Sequence, residues 1–109
     1  MHDFKDGLQA LSAVKPEIMD SWGEFNNYVL RKTALEHQTK ELIALGMAIT
    51  ACCKYCIGIH VRNRLNAGAD KDKIFDVCSI AMLMGGGPAL TYIAEVDKAL
   101  KLYGKEENS

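Results

Sequence analysis

No stretch of this 109-residue chain alternates apolar and polar residues with period two over strand length, whereas apolar residues return at helical spacing throughout. The chain is therefore expected to be all-α. Phe4, Leu8 and Leu11 mark a short first helix. Pro16 suits the first turn of a second, in which Ile18, Trp22, Phe25 and Val29 form one apolar stripe. A third helix starts near Glu36 and carries Leu42, Leu45 and Ile49. Its second half, Ile43 to Ile49, is apolar on every side, which implies burial all round, in the centre of the fold or at a subunit contact. A fourth runs to about Ala67, with Gly68 as its left-handed stop and Asp70 as the cap of a fifth. That fifth helix, from Lys71 to about Met84, should bury Ile74, Val77, Cys78, Ala81 and Met82. Gly85-Gly86-Gly87 ends it, and Pro88 opens a sixth through about Tyr103, with Leu90, Ile93, Val96, Ala99 and Leu100 inward. Gly104 onward reads as a frayed tail.

The expected architecture is thus a single-domain bundle of about six helices spanning residues 1–109, small enough that burying further surface between subunits would help it. Hydrophobic residues at 49% and charged ones at 25% fit a globular domain and exclude wholesale disorder. A net charge of -1 with no dominant cluster of Lys and Arg argues against nucleic acid as a partner. Two uncharged stretches, Leu42 to Cys53 and Val77 to Ala94, read as buried helices rather than membrane spans. The first is too short, and glycines and Pro88 break the second. The start, Met1-His2-Asp3-Phe4-Lys5-Asp6, lacks the order of a secretory signal, so the expected location is cytoplasmic.

Chemistry concentrates in Cys53-Lys54-Tyr55-Cys56-Ile57-Gly58-Ile59-His60. Residues three and four apart are neighbours on a helix, so two thiols and an imidazole share one small volume. In a reducing compartment four cysteines are an unlikely structural framework, and a Cys-x-x-Cys pair there is more often catalytic or metal-binding. A thiol beside a base and near a helix N-terminus is pushed toward thiolate, the form that attacks peroxides and disulfides.

Lys40-Glu41-Leu42-Ile43-Ala44-Leu45, then Cys53-x-x-Cys56-x-x-x-His60, then Ala67-Gly68-Ala69, together resemble the core motif of the carboxymuconolactone decarboxylase/alkylhydroperoxidase D-like superfamily. The resemblance covers about 36–100 and implies an all-helical fold assembling as a trimer or hexamer. It also implies that Cys56 is the peroxide-attacking thiolate, Cys53 the resolving thiol, and Glu41 and His60 a proton relay. A hydroperoxide would be the substrate, a lipoyl or thioredoxin-like thiol the reductant, and no cofactor would be needed. The chain departs from the dedicated alkylhydroperoxidases in having Tyr55 where they carry a second histidine, and in being shorter. It carries a cysteine pair that true carboxymuconolactone decarboxylases lack, so that reaction is not implied.

Glu41 stands twelve residues before Cys53. On one straight helix that separation is roughly 18 Å, too far for any hydrogen bond to the site. The chain is therefore expected to break near Thr50 to Cys53, unless Glu41 serves another subunit. Two other readings accompany the redox one. Cys53, Cys56 and His60 with Glu41, His37 or Cys52 could hold zinc, although zinc sites usually pair two ligand clusters. Alternatively, the chain is a helical assembly or ligand-binding module without turnover. Trp22, Phe25, Met47, Met82 and Met84 are expected in cores or subunit interfaces, and Cys78 as a buried, inert thiol.

Overall fold

A computed structural model of the chain describes the backbone of residues 2–66 and 71–108, and the side chains of 6–65 and 71–104. The helices are α1 (His2–Val14), α2 (Pro16–Leu30), α3 (His37–Thr50), α4 (Lys54–Asn66) and α5 (Lys71–Asn108), with no strand among the described residues. The all-α expectation holds. The expected stop at Gly68 and cap at Asp70 lie outside the described residues. The chain forms two compact units, Met1–His37 and Gln38–Ser109.

The first unit is a helical hairpin. Pro16 occupies the first turn of α2, where its missing N–H is no loss, and Lys15 alone separates the two helices. α2 ends as Arg31 turns extended, with its guanidinium 4.6 Å from the centroid of the Tyr28 ring. The stripe of Ile18, Trp22, Phe25 and Val29 is present but exposed, and α2 buries no residue. Of the core or subunit interface expected for Trp22 and Phe25, the first unit by itself forms no core around them.

The second unit carries the hydrophobic core. Leu45 and Ile49 from α3, Ile57, Val61 and Leu65 from α4, and Ile74, Cys78, Ala81, Ala89, Val96, Ala99 and Leu100 from α5 are all buried. Of the two expected places for the apolar half of α3, the centre of the fold is not the one taken by Ile43 and Met47, which are exposed in the single chain, as the subunit-contact alternative requires. Met82, Met84 and Leu90 are exposed as well.

α5 is two helices joined at a kink, so the expected division between a fifth and a sixth helix is present. It falls at Gly86, with φ 67 and ψ -146, a conformation open essentially to glycine alone. Gly85 is required for a different reason. A Cβ there would lie 2.8 Å from the Ala89 Cβ and 3.3 Å from the Thr50 Cγ2, so α5 could not approach the end of α3 as closely. The helix also continues through Gly104 to Asn108, where a frayed tail was expected. By length and composition Lys71–Gly104 could cross a membrane; its inward residues, Ile74, Cys78, Ala81, Ala89, Val96, Ala99 and Leu100, are buried in the unit's own core, and Gly86 kinks it.

Candidate active site

The site is made by the way α3 stops. The Cys53 N–H donates to the Ala48 carbonyl at 3.0 Å and the Cys52 N–H to the Ile49 carbonyl at 3.1 Å, with Cys52 left-handed at φ 58. These are the paired bonds of a Schellman ending, in which the left-handed residue is usually glycine. Cysteine there carries a Cβ penalty of about 1–2 kcal/mol. Cys52, named in the sequence reading only as a possible zinc ligand, is thus the hinge residue of the break. Its thiol is half-buried and lies 3.9 Å from the Thr50 carbonyl.

Cys53 closes the Schellman ending and caps the next helix. Its carbonyl accepts from the Ile57 N–H at 3.0 Å, and its Sγ accepts from the Cys56 N–H at 3.3 Å. A sulfur in this position takes up one of the unsatisfied donors of the first turn and sits at the positive end of the α4 dipole. The expected break between Thr50 and Cys53 is present, and it delivers the first sulfur to a helix N-terminus.

Cys53 and Cys56 are joined in a disulfide, with Cα atoms 5.3 Å apart, a separation ordinary for such a bond. Cys56 is half-buried against the core. His60 follows it by one turn and shares its face.

The break also folds α3 back so that Glu41 reaches α4. His60 Nδ1 lies 2.7 Å from the Glu41 Oε2, and the carboxylate is completely buried. A carboxylate can only accept, so the imidazole donates from Nδ1 and its Nε2 is left as the basic nitrogen. Glu41 therefore meets His60 within its own chain.

Two neighbours escaped the sequence reading. The Asn63 Nδ2 donates to the other carboxylate oxygen, Oε1, at 3.2 Å. Its signal was its position, three residues beyond His60 on the same helical face. The burial of Arg64 is the other: its side chain is enclosed, with Nε and Nη1 lacking a hydrogen-bond partner among the described residues.

The zinc arrangement is not formed. Glu41 and His60 are bonded to each other, the two sulfurs to each other, and no three His, Cys, Asp or Glu side chains cluster as a metal would need among the described residues. His37 donates from Nδ1 to the Leu30 carbonyl, 2.6 Å away, in the first unit. Cys78 is buried, and that burial pushes its thiol above the ordinary value.

A groove of about 430 Å³ between α3 and α5 is lined by residues including Leu42, Ile43, Met47, Val77, Ile80 and Met84. On α3, at 100° per residue, these positions point away from Glu41. The groove therefore does not lead to the sulfurs.

Residues 16–99 match the model of the carboxymuconolactone decarboxylase family. An uncharacterized protein of the cox locus in Paracoccus denitrificans is 32% identical over 93 residues, 85% of this chain and 81% of that protein. An uncharacterized Methanocaldococcus jannaschii protein is 27% identical over 94% of this chain and 93% of its own length. Among solved structures, a carboxymuconolactone decarboxylase family protein from Legionella pneumophila superposes with a TM-score of 0.85 at 30% identity, covering 94% of this chain and 91% of that one. A Thermotoga maritima member with a suggested role in the antioxidative response gives 0.83 at 22% identity over 97% and 91%. With a family model spanning both compact units and a fold shared almost end to end, this chain belongs to the carboxymuconolactone decarboxylase family.

Proposed function

We propose that the protein is a thiol-dependent peroxidase, a thiol–disulfide oxidoreductase that reduces hydroperoxides. One observation carries the reading: the Cys53–Cys56 disulfide at the head of α4 shares that helix with a histidine hydrogen-bonded to a buried glutamate. The antioxidative role suggested for the Thermotoga maritima protein is of the same chemical kind.

The steps follow from the groups in place. His60 Nε2 takes the proton of Cys56, and Glu41 stabilises the imidazolium that results. The Cys56 thiolate attacks the terminal oxygen of the hydroperoxide; the O–O bond breaks, and the alkoxide leaves with the proton from His60 as an alcohol. Cys56 is now a sulfenic acid. Cys53, its thiolate stabilised by the helix N-terminus and the Cys56 N–H, attacks the Cys56 sulfur and displaces hydroxide, which leaves as water. A dithiol of lipoyl or thioredoxin-like type then reduces the disulfide, supplying two electrons and two protons. No resident cofactor is required.

The reading places the protein in a reducing, cytoplasmic compartment, as a trimer or hexamer. The exposed apolar face of Ile43, Met47, Ile80, Leu83 and Met84 supports self-association, because a contiguous surface of this kind is unusual on a monomer.

The test is hydroperoxide consumption with a dithiol reductant. Wild type turns over and Cys56→Ser does not. A wild type that neither consumes peroxide nor forms the disulfide would leave a helical assembly or ligand-binding module, the second reading raised by the sequence.

A further inference from the structure

We infer that Asn63 is a positioning residue of the relay, holding Glu41 as a carboxylate and thereby fixing the tautomer of His60. The inference rests on the peroxidase reading for its kinetic consequence, but not for its physical content.

Glu41 is fully buried on α3, and α4 grips it with one side chain on each oxygen: His60 on Oε2 at 2.7 Å and Asn63 on Oε1 at 3.2 Å. The two grips come from positions three apart on one helix, so the carboxylate plane is set by α4 as a whole. An amide NH2 can donate and a protonated carboxyl oxygen accepts poorly, so the Asn63 bond favours the ionised form of Glu41. An ionised Glu41 requires a donor at Oε2, which selects the Nδ1–H tautomer of His60.

Several other charged or titratable groups belong to this part of the unit. Cys53 and Cys56 head α4, Arg64 lies one turn beyond His60, Lys40 precedes Glu41 on α3, and Cys78, Tyr92 and Tyr103 enter the same core from α5. Asn63 bonds Glu41 without adding a charge, so its removal changes the relay without changing the net charge of the site.

The experiment is nitrogen-detected NMR of His60 in the full chain, with peroxidase kinetics on the same samples. In wild type the Nδ1-protonated tautomer dominates. In Asn63→Ala the tautomers mix. Turnover then falls about three- to tenfold, with the KM for hydroperoxide unchanged. Asn63→Gln, which keeps the amide, restores at least part of the tautomer preference. Should Asn63→Ala not fold, Asn63→Leu keeps the size and removes the donor, and it mixes the tautomers likewise. A folded Asn63→Ala or Asn63→Leu with the wild-type tautomer overturns the inference, even if its melting temperature falls. If wild type has no turnover, the peroxidase reading fails, and the tautomer measurement still decides the role of Asn63.

Discussion

At the scale of single residues, the two cysteines are activated by different means. Cys53 takes a backbone N–H at a helix N-terminus, whereas Cys56 shares a helical face with a base. In Cys56→Ala, which preserves the donating N–H, Cys53 should react with iodoacetamide at neutral pH faster than half-buried Cys52, measured by peptide mass spectrometry. Equal or slower labelling of Cys53 would mean that the cap does not activate it. Glu41→Gln keeps the volume and removes the charge that holds the imidazolium. It should lower turnover by about two orders of magnitude, as expected for a disabled acid–base pair, and leave the disulfide able to form slowly. The other two thiols serve as internal controls. Burial raises Cys78, so in native protein near neutral pH it should resist alkylation that labels half-buried Cys52, and react only after unfolding. Above pH 9.0, the ordinary value, the unfolded chain ionises this thiol before the folded chain does. Stability that is fully present below that pH is therefore lost above it, and Cys78→Ala should lessen the alkaline loss in thermal melts.

At the scale of elements, the two glycine-like positions are the ones that bend the chain. Gly86→Ala places a Cβ at φ 67 and ψ -146 and should destabilise by about 1–3 kcal/mol, read as a lower melting temperature. Gly87→Ala, which meets nothing within 4 Å, should have a smaller effect. Cys52→Gly should act in the opposite sense, raising the melting temperature by relieving a left-handed Cβ while leaving the Cys53–Cys56 disulfide intact. These positions also show where a sequence is legible. The helices and most of their inward faces could be read because 3.6-residue periodicity is written in residues such as Leu45, Ile49, Ile74, Val96 and Leu100. The need for a break before Cys53 was legible from distance alone. Its form was not, because a Schellman ending normally announces itself with glycine and here uses Cys52. The triple glycine was legible as the end of one helix before another opened by Pro88, but not that Gly86 alone carries the bend. Asn63 and the burial of Arg64 depend on tertiary packing that periodicity does not encode.

For the whole molecule, the apolar surface exceeds what its own folding buries. Trp22 and Phe25 on α2, and Ile43, Met47, Ile80, Leu83 and Met84 on α3 and α5, were expected in a core or an interface and are exposed in the chain alone. The proposed trimer or hexamer would cover such surface, and Met47→Glu combined with Met84→Glu should shift the mass measured by light scattering toward the monomer. Because the groove they line faces away from Glu41, the Cys53–Cys56 disulfide should still form in that variant. The account as a whole rests on two sulfurs that join and separate while a neighbouring imidazole moves their protons. Peptide mapping by mass spectrometry after one equivalent of hydroperoxide tests this most directly. The account predicts a Cys53–Cys56 bond, formed with loss of two hydrogens and reversed by a dithiol. Cys53 and Cys56 found unlinked after oxidation, or Cys56 carried straight to sulfinic acid with Cys53 still a free thiol, would contradict it.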